Sequence, residues 1–133
     1  MRGFIPYQNE DGRVGPWEYL PCSAVTPKIG MAMVLSSGQL AIATGTTKPG
    51  YISMVEKDSA VSAGDVIPVI KVQPDQVFEC TNSASLSGVN IGQKVTLHAS
   101  NGLQVTGTTT SGVAAIVAKD GDAAGSRVLV RFE

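Results

Sequence analysis

An all-β fold, a compact barrel or sandwich of two sequence-similar units behind an extended N-terminal arm, is what this sequence predicts. Three observations predict it. Residues 26–71 align with residues 88–133 at a constant offset of 62, with 12 identities in 46 aligned positions, and self-similarity at a fixed period marks two copies of one supersecondary unit. Short apolar segments alternate with Gly, Ser, Asn and Asp turn residues along the chain, and no window keeps the apolar period of an amphipathic helix. Several segments alternate apolar and polar residues with the period of two that a half-buried strand requires.

The identities cluster where turns and strands are expected. Ile29-Gly30 recurs as Ile91-Gly92, Leu35 as Leu97, Thr44-Gly45-Thr46-Thr47 as Thr106-Gly107-Thr108-Thr109, Gly50 as Gly112, Val55 as Val117, Lys57-Asp58 as Lys119-Asp120, and Val66 as Val128. The chain divides accordingly into an arm and first strand over 1–25 and a duplicated β domain over 26–133, with repeats 26–71 and 88–133 joined by a connector over 73–87.

In chain order, the arm comes first. Residues 1–25 hold four of the seven aromatics (Phe4, Tyr7, Trp17 and Tyr19) among Pro6, Pro16, three glycines and the polar run Gln8-Asn9-Glu10-Asp11. So many breakers exclude a regular element before about Trp17. Aromatics are costly to leave in water, so the arm should lie on its own barrel or on a neighbouring subunit. Trp17-Glu18-Tyr19-Leu20 reads as a strand. The first unit then opens with a hairpin, Met31 to Leu35 and Leu40 to Ile42 around a turn at Ser36-Ser37-Gly38. Its TGTT element and a glycine lead to the strand Tyr51 to Val55, and after Lys57-Asp58 and a small-residue loop ending at Gly64 it closes with Val66 to Ile70. Pro68 cannot donate to a ladder, which places that strand at an edge or a bulge. Gln76 to Cys80 is a further strand.

The second unit repeats the sequence of moves. Lys94 to His98 alternates with Val95 and Leu97 on one face, and Asn101-Gly102 signals a two-residue type I′ hairpin, whose central positions both need positive φ. Leu103 to Val105 returns, Val113 to Val117 follows the second TGTT, and the chain ends on a strand with Val128, Val130 and Phe132 inward and Arg131 outward.

The chain has 133 residues, enough for one domain that buries roughly two-thirds of the surface its unfolded chain exposes. Ten Lys and Arg against eleven Asp and Glu, with no run of either sign, leave no basic stripe for nucleic acid and no polybasic patch for a membrane. Only 16% of residues are charged, below the ordinary quarter, as suits a surface partly covered by a partner. The N-terminus carries no signal-peptide core, and no apolar run reaches membrane-spanning length, so the expectation is a soluble protein made in the cytoplasm. Cys22 and Cys80 sit beside apolar neighbours and read as buried free thiols.

Catalytic chemistry is hard to assemble from these residues. The single histidine, His98, points away from Val95 and Leu97 and reads as a surface or interface residue. With Cys22 and Cys80 it shows no metal-ligand spacing. No phosphate-binding glycine loop and no GxSxG elbow occurs. The repeated TGTT element fits ST-turns and positive φ better than an anion nest. The two Lys-Asp pairs read as turn starts, and nothing requires Asp58 and Asp120 to converge. The expectation is a protein that is no enzyme and has no cofactor and no metal.

The strand Lys28-Ile29-Gly30-Met31-Ala32-Met33-Val34-Leu35 before a short turn, the Tyr51-Ile52-Ser53-Met54 strand, the Ala63-Gly64-Asp65-Val66 loop and the aromatic arm together resemble the small capsid decoration, or cement, proteins of tailed bacteriophages. That resemblance implies a virion structural protein, made in the host cytoplasm, that docks on the outer surface of a phage head and stabilises it. The implied partner is the major capsid protein, the implied state a homo-oligomer, a trimer among the options, and the implied contacts come from the arm: Phe4, Ile5, Tyr7, Trp17 and Tyr19. The alternatives are another virion component, such as a tail or head-fibre base module, and a small carbohydrate-binding module resting on Trp17 and Tyr19.

Overall fold

The computed structural model describes residues 2–8 and 17–133; Asn9, Glu10, Asp11 and Pro16 of the arm lie outside the described residues. Among these residues the protein is all-β, with eleven strands and no helix: β1 (Ile5–Gln8), β2 (Trp17–Pro21), β3 (Ala32–Ser36), β4 (Gln39–Ile42), β5 (Tyr51–Ser53), β6 (Val66–Lys71), β7 (Val77–Asn82), β8 (Lys94–Val95), β9 (Gln104–Val105), β10 (Ala114–Lys119) and β11 (Arg127–Phe132).

The strands form two sheets that pair almost entirely antiparallel. One has the order β2-β6-β5-β3-β4; the other has the order β1-β7-β11-β10-β8, with β9 lying parallel to β7. Each sheet curls back on itself. Cys22, just past β2, bridges Leu40 of β4, while Leu97 bridges Val105 and β9 returns to Thr81 and Asn82 of β7.

The apolar residues sort into two clusters. The larger lies between the sheets and joins Ala32, Ile52 and Ile70 of the first to Phe78, Val128, Val130 and Phe132 of the second. The smaller, with Met31, Met33, Leu40, Ile67 and Val69, lies on the other face of the first sheet. The first sheet is therefore covered on both faces, which is why neighbours such as Met33 and Ala32, or Val69 and Ile70, are all buried. Of the residues expected to face inward on β11, Val128, Val130 and Phe132 are at most 1% exposed, but the alternation is not clean, because Leu129 between them is buried as well.

Three local expectations are corrected. Pro68 is not at an edge, because β6 lies between β2 and β5. It is tolerated there because its carbonyl faces Met54, just beyond the end of β5, so its missing N–H falls past the strand. The type I′ hairpin is at Ser37-Gly38, where both φ values are positive (51° and 80°) between the paired Ser36 and Gln39. At Asn101-Gly102 only the glycine is positive, at 65°. A wider loop forms there instead. The Asn101 side-chain oxygen accepts from the Leu103 N–H (2.7 Å), and His98 Nδ1 accepts from the N–H groups of Ser100 and Asn101. That loop reaches the first sheet, where the Ala32 N–H donates to the Gly102 carbonyl (2.8 Å) and Leu103 enters the smaller cluster.

The third correction concerns the arm, which does form a regular element before Trp17. β1 pairs antiparallel with β7, Ile5 opposite Glu79, with an irregularity between Pro6 and Gln8. Ahead of it the N–H groups of Gly3 and Phe4 donate to the carbonyls of Ile29 (3.0 Å) and Gly30 (2.7 Å). Glycine is needed on both sides of this contact: a Cβ on Gly3 would lie 2.2 Å from the Gly30 oxygen, and one on Gly30, whose φ is +83°, 2.7 Å from Gly3.

Candidate docking surface

Of the five residues read from sequence as partner contacts, the structure removes one. Phe4 is 0% exposed; its ring packs edge-on against Phe132 with centroids 5.0 Å apart, and Phe132 in turn lies 5.4 Å from Phe78. An aromatic held this way in its own core has no face left for another molecule. Ile5 is half-buried on β1.

The other three remain at the surface, with Tyr7 50%, Trp17 55% and Tyr19 68% exposed. Trp17 and Tyr19 stand two residues apart on β2 and so share a face, and the same face continues across the strand pair. Trp17 lies opposite Ile70, which is buried between the sheets, Tyr19 opposite Pro68 and Pro21 opposite Val66. Val66 is itself 58% exposed. The result is an apolar patch carried by two aromatic rings at the rim of the first sheet. Isolated surface apolar residues need no explanation; this group is the candidate docking surface. Val66, expected from sequence only as the start of a closing strand, joins them at the surface.

Tyr7 has a different setting. The Arg127 guanidinium lies 5.4 Å from its ring centroid, donates to Glu79 (2.6 Å) and approaches Asp120 (3.6 Å). The hydrogen bond to Glu79 is the main reason the Arg127 pKa is raised. This cluster fixes Tyr7 over β7 and β11.

The remaining polar motifs serve the fold. His98 holds the loop after β8, as described above. The first TGTT makes a turn in which the Thr47 N–H donates to the Thr44 carbonyl (3.0 Å), and the Gly45 carbonyl accepts from the Leu97 N–H (2.8 Å) of the other sheet. In the second, Thr106 Oγ1 lies 2.7 Å from Thr96 Oγ1 and accepts from the Thr108 N–H. Lys119 Nζ donates to the carbonyls of Leu86 and Val89 and to Asp122, which pins the connector to β10. Asp120 is ion-paired with Arg127, and Asp58 is exposed.

Both cysteines are buried free thiols, Cys22 in the smaller cluster and Cys80 in the larger. Burial pushes both thiols up, helped by Asp65 at Cys22 and by Glu79 at Cys80, where a hydrogen bond involving the Val105 backbone works the other way. Among the described residues no three His, Cys, Asp or Glu side chains gather where a metal could be held. A depression of about 310 Å³ beside Lys48, Tyr51, Lys71 and Pro74 has two lysines at its wall and no carboxylate. No protein-family model matches the chain, and a search of curated proteins finds no match.

Proposed function

We propose that this protein is a virion structural component, a decoration protein that binds the outer surface of a phage head and stabilises it, and that it is not an enzyme. The observation that carries the reading is the exposure of Trp17, Tyr19 and Val66, with half-buried Pro21 beside them, at the rim of the first sheet. The likeness of the Lys28–Leu35, Tyr51–Met54 and Ala63–Val66 runs to cement proteins supports it, as does the low charge density. A reinforcing protein works by stoichiometric burial of surface. If each docked aromatic loses on the order of 100 Å² of apolar area, it contributes a few kcal/mol at about 25 cal/mol per Å² before ordering costs. Many copies on one shell add through multivalency.

The body of the protein is read as two copies of one unit. In the first sheet the order is β2-β6-β5-β3-β4; in the second, β7-β11-β10-β8, with β9 beside β7. β3, β5 and β6 lie near positions 62 residues before β8, β10 and β11, and Gly30 and Gly92 share a positive φ at that same spacing. β2 and β7 then correspond although their sequences do not align.

Removing residues 1–19 would take Phe4, β1 and most of β2 with it, so side-chain substitution is the clean test. Heads assembled without this protein should bind it in co-sedimentation, and Trp17→Ala with Tyr19→Ala should abolish binding while leaving the fold intact. Undiminished binding of the double variant would overturn the docking role. A second reading is favoured by the same pair of rings: Trp17 and Tyr19 side by side could stack on a sugar. A glycan array separates the two, since the decoration reading expects no hits above background.

A further inference from the structure

We propose that Asn101–Gly102 is a self-modification site held shut by the fold: deamidation there waits for the loop to leave the first sheet and then keeps it from returning. The chemistry needs only these two residues and water. The backbone nitrogen of Gly102, on losing its proton to hydroxide, attacks Asn101 Cγ. An N–Cγ bond forms, the Cγ–Nδ2 bond breaks, and the amide nitrogen takes up a proton from water and leaves as ammonia. Water then opens the cyclic imide at one of its two carbonyls, giving aspartate or isoaspartate. Asparagine is among the thermolabile residues, and a following glycine, with no Cβ beside its nitrogen, hinders the attack least. Of the four asparagines in the chain, only Asn101 precedes a glycine.

The docked loop opposes the movements this reaction requires. Asn101 Oδ1 accepts from the Leu103 N–H (2.7 Å), its Nδ2 donates to Gln104 Oε1 (3.2 Å), and its backbone N–H donates to His98 Nδ1 (3.2 Å). Gln104 is itself fixed, because its Nε2 donates to Thr81 Oγ1 on β7 (3.1 Å). Gly102 is held from the other side. It is buried, its carbonyl accepts from the Ala32 N–H (2.8 Å), and a Cβ on it would lie 2.7 Å from the Ile42 side chain. Closing the five-membered imide requires Asn101 Cγ to leave Leu103 and Gln104, and the Gly102 peptide to turn where hydroxide can reach its nitrogen. Neither happens while Gly102 rests on Ala32 and Leu103 sits in the smaller apolar cluster. Reaction therefore proceeds through local opening of the loop.

The products do not fit the seat that the loop has left. Isoaspartate carries the chain through the former side chain and lengthens the backbone by one carbon, so Gly102 cannot regain Ala32 while Leu103 regains the cluster. Aspartate sets a carboxylate oxygen, which can only accept, against Gln104 Oε1 where an amide N–H had been. A transient opening becomes a permanent one. What is lost is a joint between the two halves of the molecule, since the loop belongs to the second unit and Ala32 to β3 of the first sheet. The inference does not rest on what the protein docks on.

Peptide mapping by mass spectrometry tests this on the full chain, incubated in mildly alkaline buffer with and without unfolding urea. In urea the amide-to-acid conversion should appear first at Asn101, and the folded wild type should convert there at least about tenfold more slowly. Gln104→Ala and His98→Ala each release one hold on Asn101 and should each raise the folded rate at least about threefold, with thermal melts recorded to show that the variants stay folded. Converted protein returned to folding buffer should exchange the Ala32 amide hydrogen at least about tenfold faster than unconverted protein treated alike. Equal rates in folded and unfolded wild type, conversion at another asparagine ahead of Asn101 in urea, unchanged rates in both folded variants, or full protection of Ala32 after conversion would overturn the proposal.

Discussion

Replacing Phe4 by alanine measures how firmly the arm belongs to its own core. Phe4 is 0% exposed and its ring packs edge-on against Phe132, with centroids 5.0 Å apart and planes at 68°. Removing a buried phenyl ring costs about 3–5 kcal/mol, cavity included, and an edge-to-face pair adds about 0.5–1.5 kcal/mol beyond area. The site has little room to collapse, because Gly3 and Gly30 are already in backbone contact beside it. The expected loss is therefore about 4 kcal/mol, a large fraction of the 5–15 kcal/mol that holds a domain together. Urea unfolding at 25 °C followed by circular dichroism should show a lower midpoint with an unchanged slope, and the melting temperature should fall by roughly 10 °C or more. Trp17→Ala, at an exposed site, should stay within about 0.5 kcal/mol of wild type. A Phe4→Ala loss below ~1 kcal/mol would refute the arm's burial.

Further expectations concern turns, close contacts and pH. Gly112→Ala should destabilise by more than about 2 kcal/mol, because the added Cβ would lie 2.3 Å from the Lys94 backbone; a melting curve like wild type would contradict it. Ser37→Asn should stabilise by up to ~1 kcal/mol, since Ser37 holds φ at 51° in the type I′ turn and Asn tolerates that region better. Stability should fall as pH rises above about 8.5. There the unfolded chain releases thiol protons that the folded protein keeps, because burial raises the Cys80 and Cys22 pKa values. Each thiol contributes a slope of up to ~1.4 kcal/mol per pH unit. Urea midpoints at pH 8.5 and 9.5 should converge partly in Cys80→Ala; an unchanged slope in that variant would show that the thiol is not the cause.

Much of the strand pattern was legible because turn and strand signals agree locally. The inward residues of β11 and the hairpin of β3 and β4 follow from residue type and spacing. What escaped depends on contacts far apart in sequence. Asn101-Gly102 carries the stronger hairpin signal, yet Gly102 lies against Ala32 and Ile42 of the other sheet, and that docking outweighs the local preference for a tight turn. Pro68 signals an edge or a bulge by residue type alone, but its effect depends on how short β5 is, which its own neighbours do not encode. At the candidate site, composition identified the aromatics but not their separate fates. Phe4 turns inward because Gly3 and Gly30 let the chain pass close, whereas Trp17 and Tyr19 share the inter-sheet face with buried Ile70 but stay exposed on the outermost strand of the sheet order, with Leu20 packed on the opposite face.

The proposed docking of the aromatic rim of β2 on a shell is tested most directly by co-sedimentation with heads assembled without this protein. The wild type should bind saturably, the Trp17→Ala, Tyr19→Ala double variant should lose binding, and an Ile91→Ala control of comparable exposure should retain it. Equal binding by all three proteins, or binding by none, would contradict it.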